Sequence, residues 1–325
     1  MLTFFDATSI CTNAFYGLGL SVANLVNIVT KPRIALFFIP FLLSSCVSSI
    51  ETRVEEAEKV ASINKFEKKL VKAGDFVITT YQRISDKDSP YVFYIEGDGS
   101  ISIGHYAIAD NPTPSKVMLF KLATLDTRPN IVYIARPCQY TPVELNPNCN
   151  QAYWTDKRMA EEVIESTNIV INSINNGNPA SLVGFSGGGG VAILVAARNK
   201  HIKDIITVAG NLDIENFSKH HGIYALKGSL NPIDYAKKIS NIPQLHLLGN
   251  KDKIVPSSIM HGYIQASSSN CVQQKFFSDI THTKGWDKVW QEVLKINLTC
   301  EAFQLNKGLS LLFHPNKIYL EQPDR

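Results

Sequence analysis

Residues 181–200, SLVGFSGGGGVAILVAARNK, hold one serine inside a run of glycines. The apolar SLVGF before it reads as a buried strand, and GVAILVAARNK after it is compatible with a helix. Gly184, Ser186 and Gly188 thus form G-x-S-x-G where a strand turns into a helix. Three readings compete for that turn. In the first, a sharp turn strains the serine backbone, glycines two before and two after remove clashing side chains, and the hydroxyl stands exposed at the carboxyl edge of a sheet. In the second, Gly187, Gly189 and Ala192 satisfy the G-x-G-x-x-A variant of a dinucleotide-binding turn, with Asp204 or Asp213 near the ~20 residues downstream that it requires. The third is a tight turn without chemistry. A Walker phosphate loop is excluded, because no Lys-Ser/Thr pair follows the glycines.

Working outward, short β-rich runs occur at 75–82, 90–97, 130–137, 204–210, 243–249 and 272–277. Several are nearly all apolar, as strands buried on both faces must be. Helical patterns separate them. In TDKRMAEEVIESTNIVINSINNG, for example, Met159, Val163, Val170 and Ile174 share a face and Gly177 supplies the stop. The alternation predicts an α/β fold with a mainly parallel central sheet and helices on both faces. Residues 51–72 are charged and helix-favouring and predict a solvent-facing helix with Val60, Ile63, Phe66 and Leu70 on its apolar side. The expected division is a targeting segment 1–45, a linker and helix 46–74, and one α/β domain over 75–325.

A serine nucleophile needs a base, and the base needs an orienting carboxylate. QLHLLGNKDKIVP reads as a buried strand whose loop carries Asp252, and VQQKFFSDITHTKGW as the next strand with His282 just past its end. Both residues are expected at the sheet edge of Ser186, in the chain order Ser, Asp, His. His105, His220, His221, His246 and His261 compete with His282 without following a last core strand, and Asp213 is the alternative acid. Glu96 and Asp98, two residues apart on a turn, need not face each other, and nothing further supports a glycosidase pair. Tyr140, Tyr153, Trp154 and Trp286 are candidate walls of an apolar pocket.

With these residues in place, the chain resembles the α/β-hydrolase superfamily from about residue 75 to about 295. Gly249, Asp252, Val255 and Pro256 match an acid loop G-x-x-D-x-x-V-P, and YIEGDG is similar to the oxyanion loop, with Glu96 where many members place histidine. The stretches IARPCQY, GFSGGGG, TVAGNLD, SLNP and HTKGW are similar to a group of bacterial lipoprotein hydrolases. The resemblance implies the α/β-hydrolase fold and a triad of Ser186, His282 and Asp252 that cleaves a carboxylic ester or related acyl bond through an acyl-enzyme. The oxyanion would be held by the N–H groups of Gly187 and Asp98. Neither metal nor organic cofactor is called for, and no substrate is implied beyond a small-molecule or lipid acyl group. A non-catalytic lipoprotein that binds a lipid or a partner, and a dinucleotide-dependent oxidoreductase, are the other classes.

Composition bounds the partners. Of 325 residues 45% are hydrophobic, enough for a sizeable core, and the 32 basic residues are scattered at a net charge of only +3, so no nucleic-acid footprint is visible. The N-terminal KPRIALFFIPFLLSSC offers two positive charges, an apolar run over 34–43 and small residues ending at Cys46, the order of an export signal. The run is about half the ~20 residues of a membrane span. Leu43, Ser44, Ser45 and Cys46 resemble a lipoprotein signal, with Cys46 lipidated as the first mature residue and the chain anchored by this lipid at a bacterial cell envelope, facing the periplasm or the exterior. An ordinary signal peptide or an uncleaved anchor is the alternative. The long region before Lys31 is unlike a signal n-region; a start at a non-ATG codon near Val26 or Val29 would leave residues 1–30 untranslated, and 15–29 is a weak membrane candidate. Without Cys11 and Cys46, four cysteines remain: Cys138, Cys149, Cys271 and Cys300. Cys138 and Cys149 flank a Pro- and Asn-rich loop and are expected to pair in an oxidising compartment. The cysteine spacing supports no zinc site.

Overall fold

The computed structural model describes residues 49–103 and 107–303. The targeting segment 1–45, Cys11, Cys46 and His105 lie outside them. The chain divides into two units, Met1–Thr52 and Arg53–Arg325. Of the first, only the opening turn of helix α1 (Ile50–Ile63) is described.

The second unit is built on an eight-stranded sheet in the order β1-β2-β6-β3-β7-β8-β9-β10. These strands are β1 Glu67–Ala73, β2 Phe76–Ile84, β3 Tyr91–Ile95, β6 Asn130–Ile134, β7 Ala180–Phe185, β8 Ile202–Val208, β9 Gln244–Gly249 and β10 Val272–Phe277. A small antiparallel pair, β4 (Ser102–Ile103) and β5 (Ala107–Ile108), stands apart from them. β1 and β2 pair antiparallel, and β2 joins β6 antiparallel; the remaining strands run parallel. Every residue of β3, β6 and β7 is buried, which is why these strands read as continuous apolar runs. At the edge, β10 is less covered, with Val272 and Phe277 buried, Gln273 and Lys275 half-buried, and Gln274 and Phe276 exposed.

Helices cover both faces. Helices α3 (Glu161–Asn175), α4 (Gly187–Ala196) and α6 (Ser257–Ser267) contribute Val163, Ile171, Val191 and Tyr263 to one core. On the other face, α1, α2 (Met118–Thr124) and α7 (Trp286–Val293) contribute Ala57, Phe120, Trp286 and Trp290. Helix α5 (Ile214–His221) follows β8. Among the described residues no helix is long and apolar enough to cross a membrane.

One expected element is corrected. The helix predicted over 51–72 ends at Ile63, and residues 67–73 form β1. Lys65 turns left-handed at φ 60°, while Phe66 N–H donates to Ala61 O and Lys65 N–H to Ser62 O, a paired-bond helix stop. Beyond the stop, seven residue pairs with β2 override the helical preference of EKKLVKA. Its lysines suit an exposed sheet edge. Ile63 and Leu70, placed on an apolar face by helical spacing, are exposed. The sheet therefore begins before residue 75.

Candidate active site

β7 delivers its chain to the carboxyl edge of the sheet and α4 leaves at once, so Ser186 takes φ 51° and ψ −122°. Such a conformation costs about 1–3 kcal/mol in a non-glycine residue and persists only where its surroundings enforce it. Here Ser186 N–H donates to Val208 O at 3.0 Å, and Ser186 O accepts from Gly189 N–H and Asn211 N–H at 2.9 Å each. The glycines are required by contact. A Cβ on Gly184 would lie 2.3 Å from Gly188 O, and one on Gly188 would lie 2.2 Å from Ile95 O. Helix α4, buried along its whole length, directs its N-terminus and unpaired amides at the site.

The structure brings Ser186, His282 and Asp252 together. His282 Nε2 is 3.0 Å from Ser186 Oγ, and His282 Nδ1 is 2.8 Å from Asp252 Oδ2. Asp252, on the loop after β9, has a side chain 1% exposed. Its Oδ1 accepts from the N–H groups of Ile254 and Val255 at 2.8 and 3.0 Å. With the carboxylate accepting on both oxygens, Nδ1 donates to it and Nε2 is left to accept from the serine hydroxyl. His282 follows β10, held by Trp286 Nε1–H donating to its carbonyl at 3.0 Å and by the Phe185 ring at 5.0 Å.

The competing residues are placed elsewhere. Asp213 caps α5 by accepting from Asn216 N–H. His246 is fully buried against Thr207, where burial holds its pKa down at about 3. His221 bonds Ile254 O, and His261 meets Gln265.

Gly187 and Asp98 meet on the other side of Ser186. Among the described residues neither N–H is hydrogen-bonded, and a Cβ on Gly187 would lie 2.0 Å from Asp98 Oδ1. The Asp98 carboxylate thus sits against the first residue of α4. Two buried guanidiniums hold it there: Arg136 Nη1 at 3.2 Å on Oδ1 and Arg158 Nη1 at 3.1 Å on Oδ2. Arg136 Nη2 also donates to Arg158 O, tying the two together. Glu96 does not pair with Asp98. Its oxygens accept from Gly97 N–H and from the Tyr133 hydroxyl, at 2.7 Å each, and burial pushes its carboxyl up to about 7.

A cavity of about 400 Å³ opens over Ser186, with Ile101, Met118, Phe185, Phe217 and Ile254 among its apolar lining and Lys116 and Arg158 among its charged lining. None of the four aromatics expected there lines it. Tyr140, Trp154 and Trp286 are buried structural residues. Tyr140 packs edge-on against Tyr81 and Tyr133, Trp154 donates to Ala109 O, and Trp286 buttresses His282. Tyr153 packs on Phe76. Sequence reasoning missed Arg136 and Arg158; a charged residue directly after the buried strand β6 was the available signal for the first. Cys138 and Cys149 are bridged, as are Cys271 and Cys300. Among the described residues no group of three or more His, Cys, Asp or Glu is placed to hold a metal ion.

With sheet order, turn and side-chain chain in view, comparison with solved structures decides the fold. Esterase Pf2001 of Pyrococcus furiosus superposes with a TM-score of 0.52 at 13% identity, over 78% of this chain and 92% of that one. Est1E from Butyrivibrio proteoclasticus gives 0.51 at 13%, over 74% and 99%. A 2,6-dihydroxy-pseudo-oxynicotine hydrolase gives 0.54 at 16%, over 78% and 72%. The chain shares the α/β-hydrolase fold of these structures. Residues 128–282 match the model of the serine hydrolase family FSH1, a span that takes in Ser186, Asp252 and His282. No curated protein matches its sequence.

Proposed function

We propose that the protein cleaves a carboxylic ester, or a related acyl bond, with Ser186, His282 and Asp252 acting as one unit. The observation that carries this reading is the bonded chain from Ser186 Oγ through His282 to buried Asp252, at 3.0 and 2.8 Å. Ser186 Oγ attacks the carbonyl carbon while its proton passes to His282 Nε2. Asp252 stabilises the imidazolium and holds its tautomer. The oxyanion is received by the N–H groups of Gly187 and Asp98, with the α4 N-terminus behind the first. His282 then returns the proton to the leaving alcohol, and water, deprotonated by the same imidazole, releases the acid from Ser186.

The dinucleotide reading fares worse on physical grounds. Of its two glycines, Gly187 faces the Asp98 carboxylate and Gly189 packs against Gly210 and Thr207, which leaves no open surface for a pyrophosphate. A screen over p-nitrophenyl esters of increasing acyl length tests the hydrolase. Turnover that disappears in Ser186→Ala is expected; turnover surviving that substitution contradicts it.

For location, we propose that Cys46 is lipidated and anchors the chain at a bacterial cell envelope. The charged, apolar and small-residue order before Cys46 supports this, and two disulfides suit an oxidising compartment. Cys46→Ala should abolish metabolic labelling with palmitate and release the chain from membranes; an unlabelled parent protein contradicts the anchor.

A further inference from the structure

The charge around Asp98 does not balance. One guanidinium neutralises one carboxylate, yet both Arg136 and Arg158 bond to Asp98, with side chains only 5% exposed. Glu96 is the nearby carboxyl that could offset the excess, but it forms no ion pair among the described residues. Both its oxygens are taken by Gly97 N–H and the Tyr133 hydroxyl. A guanidinium held away from water without its full complement of acceptors is unfavourable, and a bidentate anion relieves it most effectively.

Arg158 is the member of the cluster that lines the cavity beside Ser186. Its Nε donates to Thr155 O at 2.7 Å and its Nη1 to Asp98; its Nη2 has no hydrogen-bond partner among the described residues. Arg136, behind it, has a buried Nε without a partner and adds a second positive charge at the same end. Lys116 lines the same cavity with no ion pair among the described residues. The lining also carries the apolar Ile101, Met118, Phe185, Phe217 and Ile254, together with Glu96 and with Asp98, whose carboxylate is already held by the two arginines. The cavity is thus shaped for a short hydrocarbon body with an anionic end.

We infer that the site selects acyl esters bearing a carboxylate a few bonds from the scissile carbonyl, with Arg158 as the specificity residue that receives it. This rests on the serine hydrolase reading of Ser186. Arg158 engages the substrate carboxylate through its remaining N–H donors without releasing Asp98, and Lys116 draws the anion toward the mouth. The carboxylate belongs either to the acid or to the alcohol of the ester, since both share this chemistry.

Two matched substrate pairs separate these arms. On the acid side, 4-nitrophenyl hydrogen succinate is compared with 4-nitrophenyl butyrate, which replaces the carboxylate by a methyl. On the alcohol side, carboxymethyl butyrate is compared with ethyl butyrate. In at least one pair, kcat/KM is expected to be tenfold or more higher for the anionic ester. Arg158→Gln should reduce that ratio at least tenfold and Arg158→Lys should restore part of it, with melting curves confirming that both variants fold. Ratios near or below one in both pairs, or a preference unchanged in Arg158→Gln, overturn the inference while hydrolysis of the neutral esters leaves the serine reading standing.

Binding is tested apart from turnover. Glutarate should bind the wild-type protein in calorimetry and should inhibit hydrolysis of the neutral ester competitively. Absence of glutarate binding also overturns the inference, whether or not any ester is cleaved. If Ser186 is inert toward esters but glutarate binds in an Arg158-dependent way, the hydrolase reading fails and the anion site stands.

Discussion

Two aspartates flank Ser186, and they are compensated in opposite ways. Asp252 is nearly inaccessible and is met by two backbone N–H groups and one imidazole, so its charge is answered only in part until His282 takes a proton. Asp98 is answered twice over, by two guanidiniums, before any chemistry begins. The difference follows from what each neighbours. A carboxylate behind the base helps when the base becomes cationic. A carboxylate beside the proposed oxyanion donors would repel the charge that develops there in the proposed reaction, and neutralising it would remove that penalty. Under the proposed mechanism the same residue type would be a stabiliser on one side of the serine and a tethered scaffold on the other.

Breaking the Asp252 side should have the largest effect. Ser186→Ala and His282→Ala should each reduce kcat by about a millionfold, the scale on which comparable triads fail, with the double variant hardly worse. Asp252→Asn should follow at about ten-thousandfold, with the fold intact, because the amide favours the wrong imidazole tautomer. Single-turnover and steady-state kinetics on one ester check all three. Additive losses, or an Asp252→Asn variant near wild type, would dissolve the contrast.

The Asp98 side should break differently. Asp98→Asn leaves two buried guanidiniums without their anion, and removal of one partner from a buried pair is destabilising by about 3–5 kcal/mol. Thermal unfolding should show that loss, together with a fall in kcat of about tenfold to a hundredfold as the Asp98 N–H drifts from the oxyanion position. An Asp252-like collapse of activity with full stability would mean that Asp98 takes part in proton transfer instead.

What sequence can say about the two sides differs for the same physical reason. The elbow at Ser186 is a local object: strand, strained turn and buried helix follow one another within 181–200, and the glycines announce the close approach. Asp252 and His282 each end a strand, so periodicity alone puts them at the right edge. Asp98 was placed by its backbone N–H, but the partners of its carboxylate lie 38 and 60 residues away; the charge close after β6 hints at Arg136, and nothing local in DKRM announces Arg158. Tyr140 and Trp286 were misplaced into the pocket wall because an aromatic side chain serves core and cavity equally well. EKKLVKA reads as helix until β2 is there to pair with it.

The smallest expected effect sharpens the contrast through pH. Burial raises the Glu96 carboxyl to about 7 from an ordinary 4.5. The native chain therefore keeps this proton over an interval where the unfolded chain has released it. The contribution of Glu96 to stability is full below about 4.5, declines as pH rises through 7, and stays lost above. Glu96→Gln, which keeps the shape and removes the charge, should stabilise the protein at pH 8 by roughly 1–3 kcal/mol, with the gain vanishing near pH 4.5. Denaturant unfolding at the two pH values measures it, and an equal effect at both would show that Glu96 is not the group that titrates.

The most direct test is covalent. A fluorophosphonate ester forms a stable bond only with an activated serine, and intact mass spectrometry reports its stoichiometry. One adduct per chain is expected, mapping to the peptide that contains Ser186, absent in Ser186→Ala and slowed by orders of magnitude in His282→Ala. A folded protein that takes no adduct, or takes it on another residue, would contradict the account.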